Sequence, residues 1–190
     1  MEAARLRTAT ETEHRTLEAE LDLLSPSLTR QDYAELLASF YVLYSSWEKE
    51  AERLIEAAVP GLFGPRRKAI WLEADLAALN YPLEDLSRRA QGMSLPALNN
   101  TARAFGSMYV IEGSTLGGQI LSRHFRKQFG LEPGSGGTFF SGYGPRTSEM
   151  WREFREVLAR RPASEDEDMV DSALMTFKAF RRLTGRRSCR

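Results

Sequence analysis

Apolar residues recur along this chain at spacings of three and four almost from end to end, the period of amphipathic helices. Leu6, Thr10, His14, Leu17, Leu21 and Leu24 share one face of an opening helix that is expected to stop before Ser25-Pro26. Thr29 and Asp32 form a capping signature for a second helix, whose face of Tyr33, Leu36, Leu37, Phe40, Tyr44, Trp47, Ala51, Leu54 and Ile55 extends to Val59-Pro60. That aromatic stripe reads first as a packed core and second as a wall for a ligand. Pro65 is placed to open a third helix bearing Ile70, Leu72, Leu76 and Leu79, with Asn80-Tyr81-Pro82 as its break and a short helix after it. Ser94 reads as the N-cap of the longest helix, with Pro96 in its first turn and an end near Phe129. The glycines and prolines of residues 130–147 predict a loop. Trp151, Phe154, Val157 and Leu158 mark the next helix, and Ser164 with Glu167 signals a last one carrying Met169, Val170, Leu174, Phe177 and Phe180. Apart from an ambiguity at Met108–Ile111, nothing alternates like a strand, so the fold class is all-α.

The longest helix contains Gly106, Gly113, Gly117 and Gly118. Each interior glycine opposes a helix by roughly 1 kcal/mol relative to alanine, so something must approach the backbone closely. At about 100° per residue, Gly106, Gly113, Gly117 and His124 line one side of the helix, with Gly118 beside them. A phosphate loop is excluded, because the positions needing Lys and Ser or Thr hold Gln119 and Ile120. Close packing through small residues and a flat ligand against bare backbone both remain open. Adjacent Gly117-Gly118 would also let the helix bend.

The 190 residues are 42% hydrophobic, enough for one domain, expected over residues 1–183 with a disordered basic tail at 184–190. Twenty-six basic residues balance 26 acidic ones, which argues against a dedicated nucleic-acid partner. Cys189 is the single cysteine, so intrachain disulfides and cysteine-rich metal sites are excluded. No apolar run approaches the ~20 residues of a membrane span and no signal core opens the chain, so a cytoplasmic protein is expected.

His14 is the second candidate. A lone histidine on an apolar stripe is commonly a hydrogen-bonded core residue, yet neutral imidazole is also a common metal ligand. Arg7 stands seven positions earlier on nearly the same face and could meet an anionic group, while Glu18 could orient the ring. His124 is the other histidine, so several imidazoles cannot gather on one ion, whereas a metal inside a macrocycle needs just one.

Two segments, Glu11-Thr12-Glu13-His14-Arg15-Thr16-Leu17-Glu18 and Glu112-Gly113-Ser114-Thr115-Leu116-Gly117-Gly118-Gln119, resemble those of heme oxygenases, more closely the small bacterial members. The resemblance covers most of the chain and includes the order of helices. It implies an all-helical bundle clamping heme between an N-terminal proximal helix and a kinked distal helix. It further implies cleavage of heme, with O2 and external electrons, to biliverdin, carbon monoxide and ferrous iron. On the matching positions His14 would be the proximal iron ligand and Gly113, Ser114, Gly117 and Gly118 the distal catalytic segment. Arg7, with Arg152 or Arg155, would meet the heme propionates. Ser114 departs from the aspartate of the animal enzymes, which leaves proton delivery to a water network held by other groups. The implied partners are a reductase or ferredoxin and a biliverdin acceptor such as a phytochrome, with the chain itself monomeric. The alternatives are a heme storage or sensor protein without turnover, and a helical interaction module whose glycines serve packing.

Overall fold

The computed structural model describes residues 3–82, 84, 86 and 97–184. Helix α1 covers Ala3–Leu21 and ends sooner than predicted, because Asp22 adopts a left-handed conformation at φ 39°. Only Leu6 and Thr10 of its stripe are buried, and the Thr10 hydroxyl is satisfied by donating to Leu6 O at 2.8 Å. Helix α2, Arg30–Ala58, begins with the predicted capping box: Asp32 N–H donates to Thr29 Oγ1 at 3.1 Å and Thr29 N–H to Asp32 at 2.9 Å. Its aromatic face is core. Phe40 stands perpendicular to Phe180 at 5.5 Å and Tyr44 meets Phe139 at 5.3 Å.

Pro65 does not open the third helix. It lies in a 3-10 turn, Gly64–Arg66, and α3 runs over Ala69–Ala78 with Ile70 exposed. Its start is set from α2, where the Glu48 carboxylate accepts Lys68 N–H at 2.6 Å and Ala69 N–H at 2.9 Å. Burial pushes the Glu48 carboxyl above its ordinary range, against the pull of those two hydrogen bonds.

The glycine-bearing helix, α4, spans Thr101–Phe129 without interruption. Residues 97–99 are not helical, and Asn100 is the cap, accepting Arg103 N–H at 2.8 Å while its amide donates to Asp168 at 2.8 Å. The expected cap Ser94, Pro96 of the expected first turn, and most of the short helix expected before them lie outside the described residues. At the far end Gly130 takes φ 70° and donates to Arg126 O at 2.9 Å, a left-handed C-cap.

The predicted loop contains structure. Helix α5 is a single turn, Thr138–Ser141, followed by a 3-10 turn at Gly144–Arg146. Two buried side chains hold it: Asp75 accepts Thr138 N–H at 2.9 Å and Phe139 N–H at 2.7 Å, and Tyr33 OH donates to Gly136 O at 2.7 Å. Phe140 is thereby carried into the core.

Helix α6, Thr147–Ala159, follows the predicted pattern. Helix α7, Asp166–Thr184, starts after a 3-10 turn, Ala163–Glu165, that contains Ser164. It continues through Thr184; the rest of the expected tail lies outside the described residues. Helix α4 packs most extensively on α7, which also carries α1, while α2 and α3 lie together on another side. The seven helices whose bounds are given above, with no strand among the described residues, form one all-α bundle.

Candidate functional site

Gly106, Gly113 and Gly117 share a phase on α4, with Gly118 about 100° beyond Gly117, and the four do not share a role. A Cβ at Gly106 would stand 2.1 Å from Met169 O, so there the absent side chain lets α7 approach. The Thr176 hydroxyl donates to Ser107 Oγ at 2.8 Å and the Ser172 hydroxyl to Arg103 O at 2.6 Å beside it. Gly118 is similar, with Phe140 O of α5 at 2.9 Å from the added Cβ. The packing reading therefore applies to these two, including Gly118, which the sequence placed in the catalytic segment. Gly113 and Gly117 differ. At Gly113 the added carbon would make ordinary contact with Trp151 at 3.8 Å, and at Gly117 it would meet nothing within 4 Å. Leu116 and Ile120 beside it are 40% and 56% exposed. Gln119 ties the segment down by donating to Ser141 O at 3.0 Å and Thr147 Oγ1 at 3.1 Å.

Around Gly113 the fold assembles an aromatic and cationic rim. Tyr109 and Trp151 lie 5.6 Å apart, and the Arg155 guanidinium sits 6.0 Å from the Trp151 ring. Burial raises the Tyr109 phenol above its ordinary range, and the Arg7 charge opposes that rise. Gly113 and Arg155 thus meet at Trp151, and the charge of Arg7 acts on Tyr109. Arg152 does not join them; it stays exposed, with Glu156 at 3.8 Å. Sequence reasoning missed Tyr109 as a site residue and used Trp151 only to locate a helix.

His14 is not the buried, hydrogen-bonded core histidine that its stripe allowed. Its side chain is 54% exposed, its ring stands edge-on to Phe177 at 5.7 Å, and Nδ1 lies 3.6 Å from Glu18, beyond a hydrogen bond. The helix beneath it is tied to α7 by Arg181, which donates to Glu13 at 3.0 Å and to Glu20 at 2.6 Å. The rival His124 turns against Phe125 at 5.5 Å, with Nε2 buried and lacking a hydrogen-bond partner among the described residues.

The core side of the same α4 segment holds charge. Glu112 accepts from Lys68 Nζ and from Tyr143 OH, the latter at 2.7 Å, and Arg66 Nε lies 3.8 Å from its second oxygen. Lys68 also donates to Arg66 O at 3.1 Å and Tyr143 OH at 2.9 Å. Burial, reinforced by Glu112, pushes the Tyr143 phenol far up, so it serves as a neutral donor. Burial raises the neighbouring Tyr44 phenol, opposed by Ser114, and the Ser114 hydroxyl donates to Ile111 O at 2.8 Å. None of these groups but Ser114 was singled out as a site residue from the sequence. The available signal was Glu112, an acidic side chain on a helix whose flanking turns are apolar.

The chain matches the family model described as heme oxygenase over residues 1–186. It is 28% identical over 151 residues to a heme oxygenase of Xanthomonas campestris pv. campestris (strain 8004), covering 78% of this chain and 86% of that relative. Its fold is similar to the NO- and CO-bound heme oxygenase of Neisseria meningitidis, with TM-score 0.79 at 18% identity over 96% of this chain and 92% of that one. The heme oxygenase of Leptospira interrogans superposes with TM-score 0.74 at 21% identity, covering 97% and 98%.

Proposed function

The chain belongs to the heme oxygenase family, and from that premise we propose that it holds heme between α1 and α4, with His14 as the iron ligand and Gly113 and Gly117 across from it. The family reaction opens heme with O2 and external electrons, releasing biliverdin, carbon monoxide and ferrous iron, and it is the function of this chain. The observation that carries the residue assignment is the pair of open glycines. Their helical cost is not offset by any contact within the described residues at Gly117, so a ligand lying on the backbone is the natural source of compensation.

Bound heme supplies both the iron that activates O2 and the ring carbon that is oxidised. The protein's own work is placement and electrostatics. His14, half exposed and free of a hydrogen bond to Glu18, would be available to hold the iron of bound heme. Glu18 is near enough to accept from the second imidazole nitrogen after a small rotation and so to fix its tautomer. Arg155, at the Trp151 ring, and Arg7, whose charge acts on Tyr109, are the cations for the propionates, and Arg155 takes this role in place of Arg152. Bare backbone at Gly113 and Gly117 leaves room for a diatomic and ordered water. Ser114, whose hydroxyl donates to Ile111 O at 2.8 Å, supplies a side-chain hydroxyl beside Gly113. Gly118 supports the segment from behind by admitting Phe140 O.

A reductase or ferredoxin as electron donor, a phytochrome-like acceptor for biliverdin, a monomeric state and a cytoplasmic location belong to the same proposal. No helix among the described residues is long and apolar enough to cross a membrane. The test is hemin titration of the full chain and of His14→Ala, followed by turnover under O2 with reductant and chromatography of the pigment. Wild type gains a Soret band and yields biliverdin, and His14→Ala loses the wild-type spectrum. An unchanged spectrum and hemin affinity in His14→Ala would overturn proximal ligation by this residue.

A further inference from the structure

Glu112 immediately precedes Gly113, and its side chain is 1% exposed. Lys68, Arg66 and Tyr143 converge on it from α3, from the turn before α3 and from the turn before α6. The three protons of the Lys68 ammonium are matched by three acceptors, Arg66 O, Glu112 Oε1 and Tyr143 OH. Such a cluster is not an economical way to join helices, since well-packed apolar residues of similar volume often do as well or better. A charged cluster does restrict α4 in one respect that apolar packing would not. Leucine in place of Glu112 could slide among apolar neighbours, whereas the carboxylate can leave its cations only by becoming a buried, unpaired charge.

That restriction acts on rotation. Successive residues of a helix step by about 100°, so Gly113 points about 100° and Gly117 about 140° from Glu112. With Glu112 held in the core, both glycines are turned to the side on which Gly117 meets nothing. We propose that Glu112 is a positioning residue for the heme reaction: clamped by Lys68 and Tyr143, it fixes the rotational phase of α4 and thereby selects the ring edge that is opened. The inference rests on the heme reading above. The clamp acts through Gly113 and Gly117 and does not touch the substrate.

The experiment compares the full chain with Glu112→Gln, Tyr143→Phe and the charge-free pair Glu112→Leu with Lys68→Met. It measures thermal unfolding, hemin affinity, single-turnover rate and the isomer composition of the biliverdin. The charge-free pair is expected to bind hemin within about threefold of wild type, to turn over about tenfold more slowly and to give a changed isomer composition, as a sub-ångström misplacement would. Glu112→Gln, whose amide oxygen still accepts from Lys68 and Tyr143, restores the wild-type isomer composition. A purely structural cluster would lower the unfolding temperature and leave the isomers of the folded protein unchanged, which overturns the proposal. If the charge-free pair does not fold, Tyr143→Phe carries the test, because it removes one hydroxyl; an unchanged isomer composition there overturns the proposal as well. A wild-type chain that takes up no hemin overturns the heme reading and this inference together, and it is recognised before any variant is compared.

Discussion

Gly106 and Gly117 stand about three turns apart on one helix with the same phase and the same intrinsic cost, and they solve opposite problems. At Gly106 the neighbouring backbone is so close that a methyl group would overlap Met169 O, and α7 gains hydrogen bonds to α4 on either side of the contact. The fold itself offsets the helical cost there. At Gly117 no other element among the described residues lies within 4 Å of the absent carbon, so they offset nothing there. The glycines read from sequence are thus two kinds of feature, packing contacts at Gly106 and Gly118 and more open backbone at Gly113 and Gly117 between them. Gly106 faces α7, and Gly118, about 100° around the helix from Gly117, faces α5.

The contrast is most severely tested at Gly106→Ala. The added carbon would meet backbone, which cannot rotate away, so helix α7 must shift as a body and its two bridging hydroxyls with it. Overpacking typically costs 1–3 kcal/mol, and a clash with a carbonyl at this distance is expected at or above about 3 kcal/mol, despite the gain in helix propensity. Urea unfolding of the protein without hemin measures it. Gly118→Ala comes next. Its obstacle, Phe140 O at 2.9 Å, belongs to a four-residue helix that hangs on Asp75 and Tyr33 and can give way by a few tenths of an ångström. A loss of about 1–2 kcal/mol is expected. If Gly118→Ala destabilised more than Gly106→Ala, the assignment of the tighter packing contact to the N-terminal glycine would be reversed.

The difference between the two kinds of glycine could not be read from the sequence, because phase reports direction and not what stands in that direction. What periodicity could report was reported well. The second helix was legible to its cap, since Thr29 and Asp32 satisfy each other without help from the rest of the molecule. Helix α5 was not legible because its two exposed amides are satisfied by Asp75 from α3, a partner far away in sequence. The same holds for the start of α3, which is capped by Glu48 rather than by the local proline. Of the stripe that carries His14 only Leu6 and Thr10 are buried, and the imidazole, edge-on to Phe177 of α7, stays half exposed. The Glu112 cluster was invisible for a different reason. Hydrophobic patterning assigns charged residues to solvent, and three long-range partners are needed before a carboxylate can be placed in a core.

The smallest effect on stability is the most discriminating for function. Gly117→Ala adds a methyl group to open space in a helix, so the protein without hemin is expected to gain up to about 1 kcal/mol, from helix propensity and from a less flexible unfolded chain. Gly113→Ala should gain somewhat less, because its methyl group must accommodate the ordinary contact with Trp151. Both substitutions are expected to weaken hemin binding or turnover while raising the unfolding temperature of the empty protein. A residue that matters only for packing cannot give opposite signs in those two measurements. If Gly117→Ala were more stable and equally active, the cost of that glycine would have no compensation in the heme site, and its openness would be an accident of a solvent-facing helix.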